Sequence, residues 1–166
     1  MNKILYIIPT IQRKSVYRTI QSIHDNDPNS TIVIASGGGV GDNRNTGLKM
    51  AIDEEFDWIG FIDDDDYYSP DYLKEFDDNY DIIIFKMNRN DEILPTDELI
   101  YGTVGISYFI KGSFYRYAFH RFDNKHAQDW RFLEKHLKRT DKVKITDSVY
   151  YNAPEYGGAV KYEKIH

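Results

Sequence analysis

The stretch WIGFIDDDDYYSPDYL, residues 58–73, sets five apolar or small residues directly against four consecutive aspartates. The run WIGFI has the composition of a strand buried on both faces. Four like charges at its end repel one another. Burying any of them without a partner costs on the order of several kcal/mol, or shifts its pKa until it is neutral. The reading therefore expects a positive group from outside the chain to complete this strand end.

Working outward, KILYIIPT is an apolar run closed by Pro9, the pattern of another buried strand. Val16, Ile20 and Ile23 recur at spacings of four and three, which marks one face of a helix. TIVIAS predicts a second strand, cut off by GGGVG. Leu48, Ala51 and Ile52 supply a helical stripe from Asp42 to about Glu55, with Asp42 or Asn43 as its cap. SPDYLKEF predicts a short helix with Ser69 as N-cap and Pro70 first, and DIIIFKM a further strand. Beyond Asn88 the pattern predicts strands over 99–104 and 106–110 and helices over 113–119 and 125–138.

Strands alternating with helices of about ten residues imply right-handed crossovers and a mostly parallel central sheet with helices on both faces. In such sheets ligands bind beyond the carboxyl ends of the strands. Residues 10–13, 36–41 and 63–68 all fall at that edge. No linker interrupts the 166 residues, so the chain reads as one α/β domain, residues 1–166, whose pattern changes after residue 88.

Composition narrows the function. A net charge of −6 argues against duplex nucleic acid, whose binding relies on clustered Lys and Arg. Eight of the 27 acids lie between Asp53 and Asp66, so the local field there favours a cation. The absence of cysteine excludes disulfides, thiolate zinc sites and Cys nucleophiles, and fits a cytoplasmic protein. The apolar run of residues 4–8 is too short for a leader or a transmembrane segment.

A divalent ion such as Mn²⁺ or Mg²⁺ prefers carboxylate and phosphate oxygens, and aspartates at a strand end can hold it while it bridges a diphosphate. An EF-hand loop fits poorly, because Tyr68 stands where its sixth position needs glycine. A phosphatase of the Asp-x-Asp-x-Thr/Val kind, or a nucleotidyltransferase, is a competing use of the same strand end, with Tyr67 in place of Thr or Val. A third alternative is a nucleotide- or carbohydrate-binding module without turnover.

Three segments in order carry a family resemblance. LYIIPTIQRKSVYRTIQSI resembles the opening of family-2-like glycosyltransferases of GT-A type, GDNRNTGLKMAIDEEFDWIGFIDDDD their Ala-Arg-Asn-x-Gly helix and Asp-x-Asp strand, and RFDNKHAQDWRFLEKHL their later Glu-Asp segment. The resemblance implies a Rossmann-like GT-A fold and metal-dependent, inverting transfer of a sugar from a nucleotide diphosphate donor, UDP first, to a saccharide or other acceptor hydroxyl. It implies nucleotide contacts at Thr10, Arg13, Ser36, Arg44, Asp63 and Asp64, metal ligands at Asp65 and Asp66, and a catalytic base at Asp129. His166 corresponds to a C-terminal histidine ligand of the class.

The departures are specific. Gln128 replaces the usual Glu beside Asp129, and ASGGG offers Ser36 where an aspartate normally grips the base. Gly37, Gly38, Gly39 and Gly41 lack the P-loop Lys and the G-x-G-x-x-G spacing, and read as a tight turn. His120 and His126 flank Asp129, and YYNAPEYGGAVKYEK reads as a flap over the donor. The chain is short for the resemblance, so an oligomer, a partner protein or a small acceptor is expected to complete the acceptor site.

Overall fold

All six residues of β1, Ile4–Pro9, are buried, as the apolar run requires. In the computed structural model, which describes residues 2–96 and 98–154, β1 lies between two parallel neighbours. These are β2 (Thr31–Ala35) and β3 (Trp58–Phe61). Next come β7 (Tyr108–Lys111), antiparallel to β3, then β5 (Ile82–Arg89), antiparallel to β7, then β8 (Val143–Ala153), parallel to β5. A two-residue β4, Tyr67–Tyr68, closes the far edge against β8, and β6 (Glu92–Leu94) folds back on β5. The sheet is therefore mostly parallel, with β7 inserted against the grain.

Alternation along the strands assigns the helices to two faces. Ile7 points at α2 (Val40–Asp53), where a Cβ on Gly47 would sit 2.5 Å from its side chain. Phe61, in register with Ile7, packs edge-on against Phe122 and against Phe132 of α4 (Gln128–Leu137). Tyr6 points the other way, its hydroxyl 2.8 Å from that of Tyr72 and 3.5 Å from Asp27 at the end of α1 (Val16–Asn26). On that face Tyr6, Tyr68, Tyr72, Phe76, Phe85 and Phe109 form one continuous aromatic layer. Much of the 15% aromatic content is core.

Four sequence expectations are corrected. The segment SPDYLKEF is a single 3₁₀ turn, Tyr72–Glu75, entered through a left-handed Asp71 and not through a Ser69 cap. Tyr72 is drawn wholly into the aromatic layer, and that packing outweighs the capping signal. α2 starts at Val40, earlier than the Asp42 or Asn43 cap, because Gly39 already serves as N-cap. Residues 99–104 are turns with Gly102 at a φ of +86°, held by the bond from Arg89 to the Gly102 carbonyl at 2.9 Å. The expected flap begins as the end of β8, with Tyr150 and Tyr151 buried; the rest of it, from residue 155, and His166 lie outside the described residues. The helix expected over 113–119 is α3 (Gly112–Ala118), and the one over 125–138 is α4. No helix among the described residues is long and apolar enough to cross a membrane.

At the crossing of β3 and β7 the sequence has no freedom. A Cβ on Gly60 would lie 2.0 Å from the Phe109 ring, inside the aromatic layer. Gly60→Ala is expected to lower stability by about 1–3 kcal/mol in urea unfolding, the usual cost of overpacking, while Gly60→Ala with Phe109→Leu recovers part of the loss.

His136 is wholly buried on α4, donating from Nδ1 to the Phe132 carbonyl at 2.8 Å. Burial pushes its imidazole pKa down to about 4 from the ordinary 6.5. The unfolded chain takes up this proton first as pH falls, so the stability that neutral His136 supplies is complete above pH 6.5 and lost as pH approaches 4. The loss is on the order of 3 kcal/mol. Denaturant midpoints measured across that window should fall less steeply in His136→Leu than in the parent.

Candidate active site

The four aspartates sit in a tight turn, with the Asp66 amide donating to the Asp63 carbonyl at 3.1 Å. A turn aims successive side chains in different directions, and the four carboxylates have four different surroundings. Asp64 is buried and accepts from the Thr10 hydroxyl at 2.6 Å and the Ile11 amide at 3.1 Å, with Arg13 3.8 Å away. Asp65 is ion-paired with Arg13, and its carbonyl accepts from Arg18. Asp63 accepts from Arg44 at 2.7 Å. Asp66 is buried and accepts from the Tyr151 hydroxyl at 2.6 Å.

Arg44 connects this turn to the helix that follows far along the chain. Its guanidinium is buried over the Phe122 ring, 5.3 Å from the centroid, and it donates to Asp63 and to Asp129 in the first turn of α4. Burial disfavours its charge, but the two carboxylates outweigh burial and hold its pKa above the ordinary range. Burial also raises Asp129, against the opposing pull of Arg44. Asp66 is raised by burial and by the Asp63 charge, with only the Tyr151 hydroxyl and more distant arginines opposing. A carboxyl held in that way gains from a further cation.

Asp63, Asp66 and Asp129 line one cleft of about 230 Å³, together with Tyr151, His126, Trp130 and Tyr101. Thr10, Arg13 and Asp64 form a second group beside it, at the ends of β1 and β3. Ser36 is exposed past the end of β2, with no hydrogen bond tying it to either group. His120 packs against the His136 ring at 5.0 Å instead of facing the cleft. The glycine run also has a definite use: a Cβ on Gly41 would sit 2.5 Å from the Asp123 carbonyl and from Gln128, so the start of α2 presses on the loop that leads to α4. That close approach is to the chain's own backbone.

Sequence reasoning passed over Tyr151, whose hydroxyl also accepts from the Asp63 amide at 3.3 Å and so ties both ends of the turn to β8. It also passed over Thr19, which donates to the Asp66 carbonyl at 2.6 Å. Nothing local marks either residue, because each is brought to the turn by strand or helix packing.

Among the described residues no three Asp, Glu or His side chains converge as a ready cage for a metal ion. The cleft offers the pair Asp63 and Asp66. That pair fits Mg²⁺ or Mn²⁺, which are commonly held by one or two carboxylates with substrate phosphates and water completing the shell.

The curled, mostly parallel sheet with its helices is the GT-A glycosyltransferase architecture. The chain belongs to glycosyl transferase family 2, whose model it matches over residues 13–154. No curated protein matches the sequence at a meaningful level. Among solved structures, S. aureus TarS 1–349 superposes with a TM-score of 0.76 at 19% identity, covering 96% of this chain and 62% of that one. The same TarS region in complex with UDP-GlcNAc gives 0.75 at 20% identity over 91% of this chain and 58% of that one. A197 from STIV gives 0.59 at 21% identity over 91% and 81%. The chain thus spans about three fifths of the TarS region it resembles.

Arg44 generates a stability prediction. Arg44→Met leaves Asp63 and Asp129 facing each other without a counter-charge. The expected loss is about 3 kcal/mol, below the cost for a wholly buried pair because both carboxylates keep some solvent. Adding Asp129→Asn should restore a good part of it in the same urea titration.

Proposed function

We propose that the domain transfers a sugar from a nucleotide diphosphate donor, UDP-linked in the first instance, to an acceptor hydroxyl with inversion, in the cytoplasm. The observation that carries the reading is the convergence of Asp63, Asp66 and Asp129 on one cleft within a family 2 fold. The UDP-GlcNAc complex of TarS supports the choice of donor class.

Thr10, Arg13 and Asp64 stand where a nucleoside would lie, at the carboxyl ends of β1 and β3. This assigns the first aspartate of the Asp-x-Asp pair to Asp64 and the last to Asp66, one residue later than the sequence register that pairs Asp63 with Asp65. Asp66, with Asp63, would hold Mn²⁺ or Mg²⁺, and Asp65 stays with Arg13. The ion's chemistry there is to neutralise charge growing on the departing diphosphate.

Asp129 takes the acceptor proton. As a lone pair of the acceptor oxygen forms the bond to the anomeric carbon, the proton passes to the carboxylate and the O–H electron pair stays on the oxygen. The bond from the anomeric carbon to the diphosphate breaks on the opposite side, the electron pair leaving with the phosphate oxygen. Burial favours the protonated form that results, and Arg44 fixes the carboxylate in place.

Isothermal titration of UDP with Mn²⁺ or with chelator tests the donor site. Binding that needs metal, and falls at least tenfold in Asp66→Asn, is expected; binding indifferent to both overturns the metal assignment. Asp129→Asn should keep UDP binding and lose about 10²–10⁴-fold in turnover. The binding-only alternative is favoured by the Arg44 contact that already occupies Asp129, and it predicts metal-dependent binding with no turnover in the parent to lose.

A further inference from the structure

The chain is acidic overall, yet residues 111–122 contain no acid, and Glu134 is the lone acid between 130 and 140. The cations of these two segments meet where α3 and α4 end. Arg139, just beyond α4, lies over the ring of Tyr117 in α3 at 5.3 Å, and Arg121 lies over Phe119 at 5.6 Å. Burial, followed by the charges of Lys135 and Arg139, holds the His120 imidazole below its usual range. Glu134 is engaged by Lys138 at 3.2 Å.

Cations near helix C-termini are favoured by the helix dipole, and that accounts for Lys135 and Lys138 without any partner. It does not account for the rings. Tyr117 is 71% exposed and Phe119 45%, the first among the most exposed large side chains of the described residues. Phe119 also holds a φ of +39°, where glycine or asparagine closes a helix at lower cost. Phe119 leans one side on the Tyr115 ring at 6.2 Å, yet a strained, half-exposed aromatic under a guanidinium is more than the end of α3 requires.

We propose that Tyr117, Phe119, Arg121, Lys135, Lys138 and Arg139 form a docking surface for an anionic lipid bilayer. Basic residues gain from the negative surface potential of such a membrane, and aromatic rings gain at the headgroup boundary. A polyanion in water would reward the cations while leaving Tyr117 and Phe119 with little to bury against, and so the paired rings favour the bilayer. The contact is peripheral, separate from the cleft: α4 carries Asp129 at one end and this surface at the other, about 15 Å apart by the 1.5 Å rise per residue.

Co-sedimentation of the full chain with vesicles tests it. The parent is expected to pellet with phosphatidylcholine vesicles containing phosphatidylglycerol and to stay in solution with phosphatidylcholine alone. Arg121→Glu with Arg139→Glu should abolish pelleting, and Tyr117→Ser with Phe119→Asn should weaken it about tenfold. All four positions are exposed; circular dichroism and retained UDP binding confirm that the variants fold. Failure of the folded parent to pellet with the anionic vesicles overturns the proposal. So does pelleting that ignores the ring substitutions and is competed away by heparin, which would assign the surface to a soluble polyanion. Neither result bears on the transfer chemistry, which is read by UDP titration.

Discussion

One buried guanidinium carries the geometry of the site. Arg44 reaches from α2 to Asp63 at the end of β3 and to Asp129 at the start of α4, two carboxylates 66 positions apart in the chain. Without a cation between them these groups repel, and the ends of two elements that the fold brings together would push apart. Its support is equally specific: the Phe122 ring beneath it stacks on Phe132 at 3.8 Å, and both meet Phe61 edge-on. The same aromatic group that fills the core between β3 and α4 thus fixes where the charge can stand.

This interaction changes the answer to the question that the aspartate run poses. The sequence reading looks outside the chain for positive charge, and the fold supplies much of it from within. Arg13 meets Asp64 and Asp65, Arg18 the Asp65 carbonyl, and Arg44 meets Asp63. Asp66 is left with a phenol as its direct partner. The deficit narrows to one position of the four, facing the cleft. That carboxyl shares the cleft with Asp63 and Asp129, so what positive charge the fold leaves unsupplied is concentrated there.

The strands β1, β2, β3 and β5 and the helices α1, α2, α3 and α4 were legible because each depends on its own periodicity. What escaped depends on partners distant in sequence. The 3₁₀ turn at Tyr72 replaces a helix because Tyr6 and Tyr68 draw that ring into the core. β8 is a strand because β5 and β4 give it two edges to pair with, and its alternation is too weak to announce it. The same holds in the site. The family resemblance points to Asp63, Asp66, Arg44 and Asp129, and the fold brings these together, whereas Tyr151 and Thr19 reach the turn only through packing.

The turn at residues 63–66 has a consequence for how such sequences are compared. Four identical letters hide four inequivalent positions: an acceptor for the Thr10 hydroxyl, an arginine partner, an anchor for Arg44 and a carboxyl turned to the cleft. Column-by-column matching of this run to a shorter acidic motif slides without penalty, since any offset scores alike. The hydroxyls of Thr10 and Tyr151, each gripping a different member of the run, help to break that degeneracy. A relative that keeps those two hydroxyl groups while shortening the acidic run would reveal which aspartates the chemistry cannot spare.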